Sequence, residues 1–202
     1  MNILGVVGSR RKDGHTTTLV RKVLDEASVR APNISAELLH IAGQTIEPCR
    51  VLCSKHCTTH PYQCAISDDV AGLLERMAAA DALVIGTPLY FRAPPAGFHA
   101  LMERLISMAF YQETQGSGDV RSPLADKPCG LVAVAEYSNP HGMLEYLHDV
   151  CTLLQMTPKR LDRFPYLGVG VHGDPDTDDV FHPYERAADL ATALLGDLPS
   201  IR

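Results

Sequence analysis

Residues 2–20 read NILGVVGSRRKDGHTTTLV. The apolar run Asn2–Val7 stops at Gly8-Ser9, a polar loop follows, and Leu19, Val20, Val23, Leu24 and Ala27 then recur at helical spacing. An apolar strand that turns at glycine into an amphipathic helix opens a βα unit. The alternation continues along the chain. Ile34 to Ile41 reads as a second strand, its apolar character carried by Ile34, Ala36, Leu38 and Leu39. Val70, Leu73, Leu74 and Met77 form the stripe of a helix that begins at Asp68-Asp69, where carboxylates suit the helix dipole. Ala82–Gly86 (ALVIG) and Gly130–Ala135 (GLVAVA) are continuous apolar runs, as strands covered on both faces should be. A helix follows each: Phe98, Leu101, Met102, Leu105 and Ile106 after the first, and Leu144, Leu147, Val150, Cys151 and Leu154 after the second. A last strand falls within Lys159–Val171, and a helix through Ala187, Ala188, Ala191, Leu194 and Leu195 closes the chain. Five strands alternating with five helices predict an α/β fold, a doubly wound five-stranded parallel sheet with helices on both faces. The site of such a sheet lies at the carboxyl ends of its strands, which points to the loops that start at Gly8, Gly86 and Ala135.

Size and composition narrow the function classes. The chain has 202 residues and shows neither internal repeat nor boundary, so the expectation is one domain over 1–202 with a cysteine-rich insertion at about 43–67. Its formal net charge of −6 argues against a nucleic-acid binder, which needs a basic face. No apolar run approaches the ~20 residues of a membrane span, and the opening MNILGVVGS carries no basic leader. A cytoplasmic protein with no membrane partner is expected, and its six cysteines then read as metal ligands, redox groups or core filler rather than disulfides.

The loop after the first strand suits an anion. Exposed amides, the positive end of a helix dipole, the hydroxyls of Ser9, Thr16 and Thr17 and the guanidinium of Arg11 together would cradle a phosphate. It is not a Walker loop, because His15 stands where the lysine should be, and it is not GxGxxG, which disfavours a tightly held dinucleotide. The bland alternative is an ordinary βα turn with a threonine cap and a solvated Arg-Arg-Lys run. The pattern GS-x-R-x-x-G-x-T resembles the phosphate loop of the NAD(P)H-dependent FMN reductase group of flavodoxin-like proteins. A second match follows the third strand, Gly86-Thr87-Pro88-Leu89-Tyr90-Phe91. The resemblance implies that Ser9, Arg11, His15, Thr16 and Thr17 hold the FMN phosphate and that Pro88, Leu89, Tyr90 and Phe91 line the isoalloxazine. The family often has asparagine at the position of His15. Its third loop is usually glycine-rich, whereas this chain has the bulkier Ala135-Glu136-Tyr137-Ser138-Asn139-Pro140-His141-Gly142, in which Glu136 and Tyr137 are further candidates for flavin contact.

Residues 43–67 show no clear period, a length of irregular chain that a compact domain keeps only when function or a ligand organises it. They contain Cys49, Cys53, Cys57 and Cys64, enough thiolates for an iron–sulfur cluster or a structural zinc. The segment resembles the four-cysteine motif of the iron–sulfur flavoproteins, with Pro48 before the first cysteine and CAISDD at the last. The family places two residues between its first three cysteines, and this chain places three in each gap. On a straight helix Cys49 and Cys57 would then be ~12 Å apart, so either the segment bends or not all three are ligands. His56 and His60 are substitute ligands. A [4Fe–4S] cluster, redox-active thiols and zinc all remain open, zinc being least natural without a C-x2-C turn.

The other conspicuous residues have plainer readings. Cys151 falls on an apolar helix face and Cys129 precedes a buried strand, which marks both as core. Tyr111–Lys127 is expected as a mobile, solvated connector, with a flap or subunit contact as the alternative, and His172–Asp179 as a solvated turn. Together the resemblances imply an FMN-dependent oxidoreductase that takes hydride from NAD(P)H and passes electrons to a small-molecule or protein acceptor or a [4Fe–4S] cluster, in a homodimer or homotetramer. No side-chain nucleophile or catalytic residue is required for the hydride step. The alternatives are a cluster-free flavin or quinone reductase, a non-enzymatic flavodoxin-like electron carrier, and a zinc- or thiol-based sensor without flavin.

Overall fold

The structure, a computed structural model, describes residues 1–50, 56, 57, 60, 64–109, 121–178 and 180–198. Strands β1 (Asn2–Val7), β2 (Ser35–His40), β3 (Ala82–Pro88), β4 (Pro128–Ala135), β5 (Thr157–Pro158) and β6 (Val169–His172) alternate with helices α1 (His15–Arg30), α2 (Val70–Ala79), α3 (Ala96–Arg104), the single turn α4 (Ile106–Ala109), α5 (His141–Leu153) and α6 (Pro183–Leu195). Every pairing is parallel, and the order is β2-β1-β3-β4, with β5 and β6 both on β4. β1, β3 and β4 are buried almost throughout because helices cover both their faces. Alternate residues serve the two cores. Leu4, Val6, Leu83, Ile85 and Leu131 face α2, α3 and α5, whereas Ile3, Val7, Val84, Val132 and Val134 face α1 and α6.

The last strand position differs from the predicted single strand. β5 pairs with the start of β4 at Pro128 and Cys129, and β6 with its end at Val132–Ala135. Pro158 offers no donor to continue the ladder. After the excursion that follows, Gly168 (φ 147°) brings the chain back so closely that a Cβ there would lie 2.3 Å from the Leu131 carbonyl oxygen. One sheet position is thus filled by two short pieces, giving six strands.

Smaller corrections follow the same logic. β2 is an edge strand, so Ala36 is exposed. α3 ends at Arg104, and Ile106, expected in its stripe, is 44% exposed. Within Tyr111–Lys127 the residues 111–120 lie outside the described ones, but Ser122 and Leu124 are buried, so that end of the segment is packed rather than solvated. No helix among the described residues is long and apolar enough to cross a membrane.

The parallel register sets the functional edge. Val7 lies opposite His40 and Gly86, Pro88 opposite Val134, and Ala135 opposite His172. The loops leaving β1, β2, β3, β4 and β6 therefore emerge on one side, on either side of the switch between β1 and β3.

Candidate functional site

The loop from Gly8 to Thr17 is tied to β3 at its root and braced beyond it by short-range bonds. The Gly8 amide donates to the Gly86 carbonyl (2.8 Å), the Arg11 amide to Ser9 Oγ (3.1 Å), and Thr17 Oγ1 to the Arg11 carbonyl (3.1 Å). Ser9, Thr16 and Thr17 are buried, while Arg10, Arg11, Lys12 and His15 are exposed. The threonine cap of an ordinary βα turn, the bland alternative, is not formed. Gly14 is the N-cap, no side chain caps α1, and no acidic residue occupies its first turn. The positive end of the helix is left open toward the loop. Below it, a Cβ on Gly8 would sit 2.6 Å from the Phe98 ring, so only glycine lets α3 pack this close.

The surroundings are cationic. His40, at the end of β2, has its pKa pushed down by burial and then by the charges of Arg21 and Lys12, and its Nδ1 is buried without a partner. His15 Nε2 lies 4.0 Å from Asp174 Oδ1, so the loop after β6 reaches the start of α1.

β3 ends in an unusual hairpin. Leu89 donates to the Val134 carbonyl, and Tyr90 and Ala93 exchange two backbone bonds of 2.8 and 3.0 Å. The two residues between them, Phe91 (φ 51°) and Arg92 (φ 66°), are both left-handed without being glycine, at roughly 1–2 kcal/mol each. Pro88 is buried and Leu89 half-buried, but Tyr90 is exposed and Phe91 stands fully in solvent. Strand-end aromatic packing therefore does not explain these rings. In the third loop Glu136 and Tyr137 are exposed as well, and the Glu136 carboxylate raises the Tyr137 pKa. The structure brings the three predicted loops to one edge, with apolar rings on one side and open amides and guanidinium groups on the other.

The cysteine segment is organised differently. Cys53 lies outside the described residues. Cys49 and Cys64 are half-buried and Cys57 is buried. The Cys49 amide donates to Glu103 Oε2 (3.1 Å), and Cys64 Sγ accepts from the Ile66 amide (3.5 Å). The rings of His56 and His60 stack at 4.2 Å, with the His60 amide bonded to the His56 carbonyl as in one helical turn. Among the described residues no three His, Cys, Asp or Glu side chains are placed to hold one metal ion.

Sequence reading missed what holds this segment. Arg104 and Asp68 form an ion pair with side chains only 2% and 0% exposed. Arg104 Nη1 donates to Asp68 Oδ2 (2.8 Å) and to the Glu47 carbonyl (2.9 Å), and Nη2 to Asp68 Oδ1 (3.1 Å). Asp68 also accepts from the Glu47 and Val70 amides, which makes it a buried anchor rather than a simple helix-dipole residue, while Asp69 accepts from the Thr45 amide. Burial alone would raise the Asp68 pKa, but Arg104 and the two amides hold it below the ordinary carboxylate value. The available signal was an arginine inside an apolar helical stripe. A cleft of about 780 Å³ runs from Gly8 and Arg10 past Gln44 to Pro48, His99 and Glu103, so the space beside the first loop reaches the root of the cysteine segment.

The two remaining cysteines are core. Cys129 and Cys151 are buried together, and their mutual hydrogen bond, followed by burial, pushes the Cys129 thiol far up. The turn after β6 spends its carboxylates on its own chain: Asp178 accepts from the amides of His172, Val180 and Phe181, and Asp176 from the Tyr184 hydroxyl.

Several known proteins similar to this chain are named as flavoproteins. An iron–sulfur flavoprotein of Methanocaldococcus jannaschii is 35% identical over 104 residues, 52% of this chain and 51% of the relative. One of Methanosarcina thermophila is 29% identical over 106 residues, 52% and 53%. The match thus spans about half the length of these curated relatives. Among solved structures, RosB with a bound 8-demethyl-8-formylriboflavin-5'-phosphate intermediate has a TM-score of 0.73 at 17% identity, covering 100% of this chain and 80% of that one. An azoreductase of Bacillus anthracis has a TM-score of 0.66 at 17% identity, covering 94% and 98%. The WrbA-like flavodoxin of Agrobacterium tumefaciens has 0.61 at 17%, covering 97% and 96%. These likenesses establish the flavodoxin-like fold. The NADPH-dependent FMN reductase family model matches residues 1–163, and the chain belongs to that family.

Proposed function

We propose that this protein is an FMN-dependent NAD(P)H oxidoreductase whose flavin lies across the edge formed by the loops at Gly8, Pro88 and Ala135. The observation that carries the reading is the open N-terminus of α1 above buried Ser9, Thr16 and Thr17. That donor set fits a phosphate monoester. Free amides and the Ser9 and Thr16 hydroxyls would meet its oxygens, while the Thr17 hydroxyl already donates to the Arg11 carbonyl and shapes the loop, and the exposed Arg11 would supply charge-assisted donors. His15 stands at the rim, shared with Asp174. Pro88, Leu89, Tyr90 and Phe91 would face the ring, with the strained Phe91-Arg92 turn presenting an aromatic side chain that the protein core does not use. Glu136 and Tyr137 would border it from the third loop. Bound FMN supplies hydride acceptance and both one- and two-electron transfer. The side chains bind and orient it, and none is required as nucleophile.

The family and the names of the curated relatives support flavin-dependent oxidoreduction. A [4Fe–4S] cluster on Cys49, Cys53, Cys57 and Cys64 is the finer proposal, supported by those names and by the four-cysteine count. Because the described cysteines do not gather a ligand set by themselves, no electron step is assigned through it. A homodimer or homotetramer with a small-molecule or protein acceptor completes the proposal.

An absorption spectrum of protein purified without oxygen, followed by NAD(P)H oxidation with simple acceptors, tests the reading. Flavin bands and turnover are expected. Flavin without turnover would favour the electron carrier, and a colourless protein that takes up no FMN would overturn the proposal. Iron and labile sulfide decide the cluster, and flavin bands without either would leave a cluster-free reductase.

A further inference from the structure

Beside the third loop lies a second cavity that the proposed flavin site does not use. It measures about 450 Å³ and is lined by His172, Thr177, Asp178, Val180 and Phe181, at the end of β6 and in the turn before α6. Its volume falls within the range of small-molecule sites. The parallel register puts it at the functional edge. Ala135 lies opposite His172, and the Gly173 amide donates to the Ala135 carbonyl at 2.7 Å. His172 is therefore one strand spacing, about 4.8 Å, from the root of the loop that carries Glu136 and Tyr137.

One side of this cavity is aromatic. Phe181 on its wall lies 6.1 Å from Phe164, and Phe164 lies 5.1 Å from His141 and 6.1 Å from Tyr166. Phe164 and Tyr166 are about half exposed and Val180 is 79% exposed, so an apolar ledge runs from the cavity to His141, where the third loop enters α5. Solvated rings gathered in this way offer a surface to another planar group. The other side is acidic. Asp178 accepts the amides of Val180 and Phe181 on Oδ1 and that of His172 on Oδ2. A carboxylate offers about four lone-pair sites, so Oδ2 keeps one that can take a hydroxyl. Asp174 and Asp176 stand on the same turn, and no lysine or arginine is among the residues that line the cavity.

We propose that this cavity holds the adenosine half of the hydride donor, with the adenine on Phe181 and the ribose 2′-hydroxyl on Asp178, and that the donor is therefore NADH rather than NADPH. The proposal rests on the reading of the protein as an FMN-dependent NAD(P)H oxidoreductase and names which dinucleotide it takes. A carboxylate that accepts a ribose hydroxyl rejects a phosphate at the same position, because the two anions repel and no guanidinium is there to pair with the phosphate. Stacking of a base on an aromatic ring supplies affinity that does not depend on the nicotinamide, and the ledge toward His141 leads the rest of the dinucleotide to the third loop. The family is named for NADPH, and the acidic wall is the observation that points to NADH in this chain.

The test uses the full-length, FMN-loaded chain and two probes that lack nicotinamide, ADP-ribose and its 2′-phosphorylated form, with calorimetry as readout. ADP-ribose is expected to bind at least about tenfold more tightly than the phosphorylated probe. Phe181→Ala should weaken ADP-ribose roughly 5–150-fold, the loss of one stacking platform. Thr177→Arg, at an exposed position on the wall, should draw in the phosphorylated probe and narrow or reverse the preference. Anaerobic bleaching of the bound flavin should follow the same order, NADH before NADPH. A wild-type chain that binds neither probe, or binds the phosphorylated one as tightly as the other, would overturn the proposal. So would Phe181→Ala with wild-type affinity for ADP-ribose or, should that variant not fold, Thr177→Arg with an unchanged preference. Binding as expected with a flavin that neither dinucleotide bleaches would uphold the adenosine site and overturn the oxidoreductase reading. Bleaching by either dinucleotide in a chain that takes up no ADP-ribose would do the reverse.

Discussion

The two loops at the functional edge are built on opposite plans. Beyond the bond from Gly8 to Gly86 that ties its root to β3, the loop of Gly8–Thr17 is held by partners two and six residues away, Ser9 with Arg11 and Arg11 with Thr17. The neck at which the cysteine segment joins the fold is held by partners 21 to 57 residues away, with Asp68 meeting Glu47 from just before α2 and Arg104 from the end of α3. One loop takes its shape from its own sequence and the other from the completed fold. The difference sets where each is vulnerable: the first should fail by losing its ligand, the second by losing structure.

The sharpest way to break the contrast is at Arg104. Arg104→Met strands Asp68 as a buried, uncompensated carboxylate, and a global cost of about 3–5 kcal/mol is expected. Denaturant unfolding would measure it. Arg104→Met combined with Asp68→Leu should recover most of that loss, because an apolar pair of similar volume needs no desolvation. A double variant as unstable as the single one would show that the neck depends on the arginine's own packing rather than on the pair.

Arg11 is the counterpart on the first loop. It is exposed, so Arg11→Ala should leave the unfolding midpoint within experimental scatter. FMN affinity should nevertheless fall by about 1.5–3 kcal/mol, the worth of a charged hydrogen bond. Equilibrium dialysis of FMN against the variant checks this, and unchanged retention would remove Arg11 from the phosphate site. Gly8→Ala would blur the distinction, since its Cβ meets the Phe98 ring at 2.6 Å and forces the loop off α3. A stability loss of about 1–3 kcal/mol with weaker FMN retention is expected there.

This contrast also explains what the sequence could and could not reveal. The hydrophobic runs of β1, β3 and β4 and the stripes of α1, α2 and α5 were legible because burial imposes a period on neighbouring residues. The bracing of the first loop by Ser9 and Thr17 lies within one short stretch of sequence because their partners are local. Arg104 was not: its place in the apolar stripe of AGFHALMER hints that it faces inward, but its role depends on Asp68 and Glu47, which lie 36 and 57 residues away. The split of the last strand into β5 and β6 was hidden for a like reason. Two- and four-residue strands are too short to show a period, and the turn at Gly168 has meaning only beside the Leu131 carbonyl. The Phe91-Arg92 turn was missed because backbone rules reserve that conformation for glycine and asparagine.

Acid should separate the two regions by pH, with the smallest effects of this set. His40, beside the first loop, has a folded pKa below its unfolded value of about 6.5. The unfolded chain therefore takes up the proton first, and stability is complete above that pH and declines as pH falls below it. Asp68, in the neck, also has a folded pKa below its unfolded value of about 3.9, so its contribution persists above that pH and is lost only as pH falls through the folded value. Each slope is bounded by one proton, about 1.4 kcal/mol per pH unit. Unfolding midpoints across the acid range should thus show a His40 window near neutrality and an Asp68 window well below it. His40→Asn should flatten the first and leave the second, and Asp68→Asn should do the reverse. A His40→Asn variant that keeps the near-neutral slope would mean that the burial of His40, with the smaller push of Arg21 and Lys12, is not what makes stability decline there, and that another group near the first loop takes up the proton.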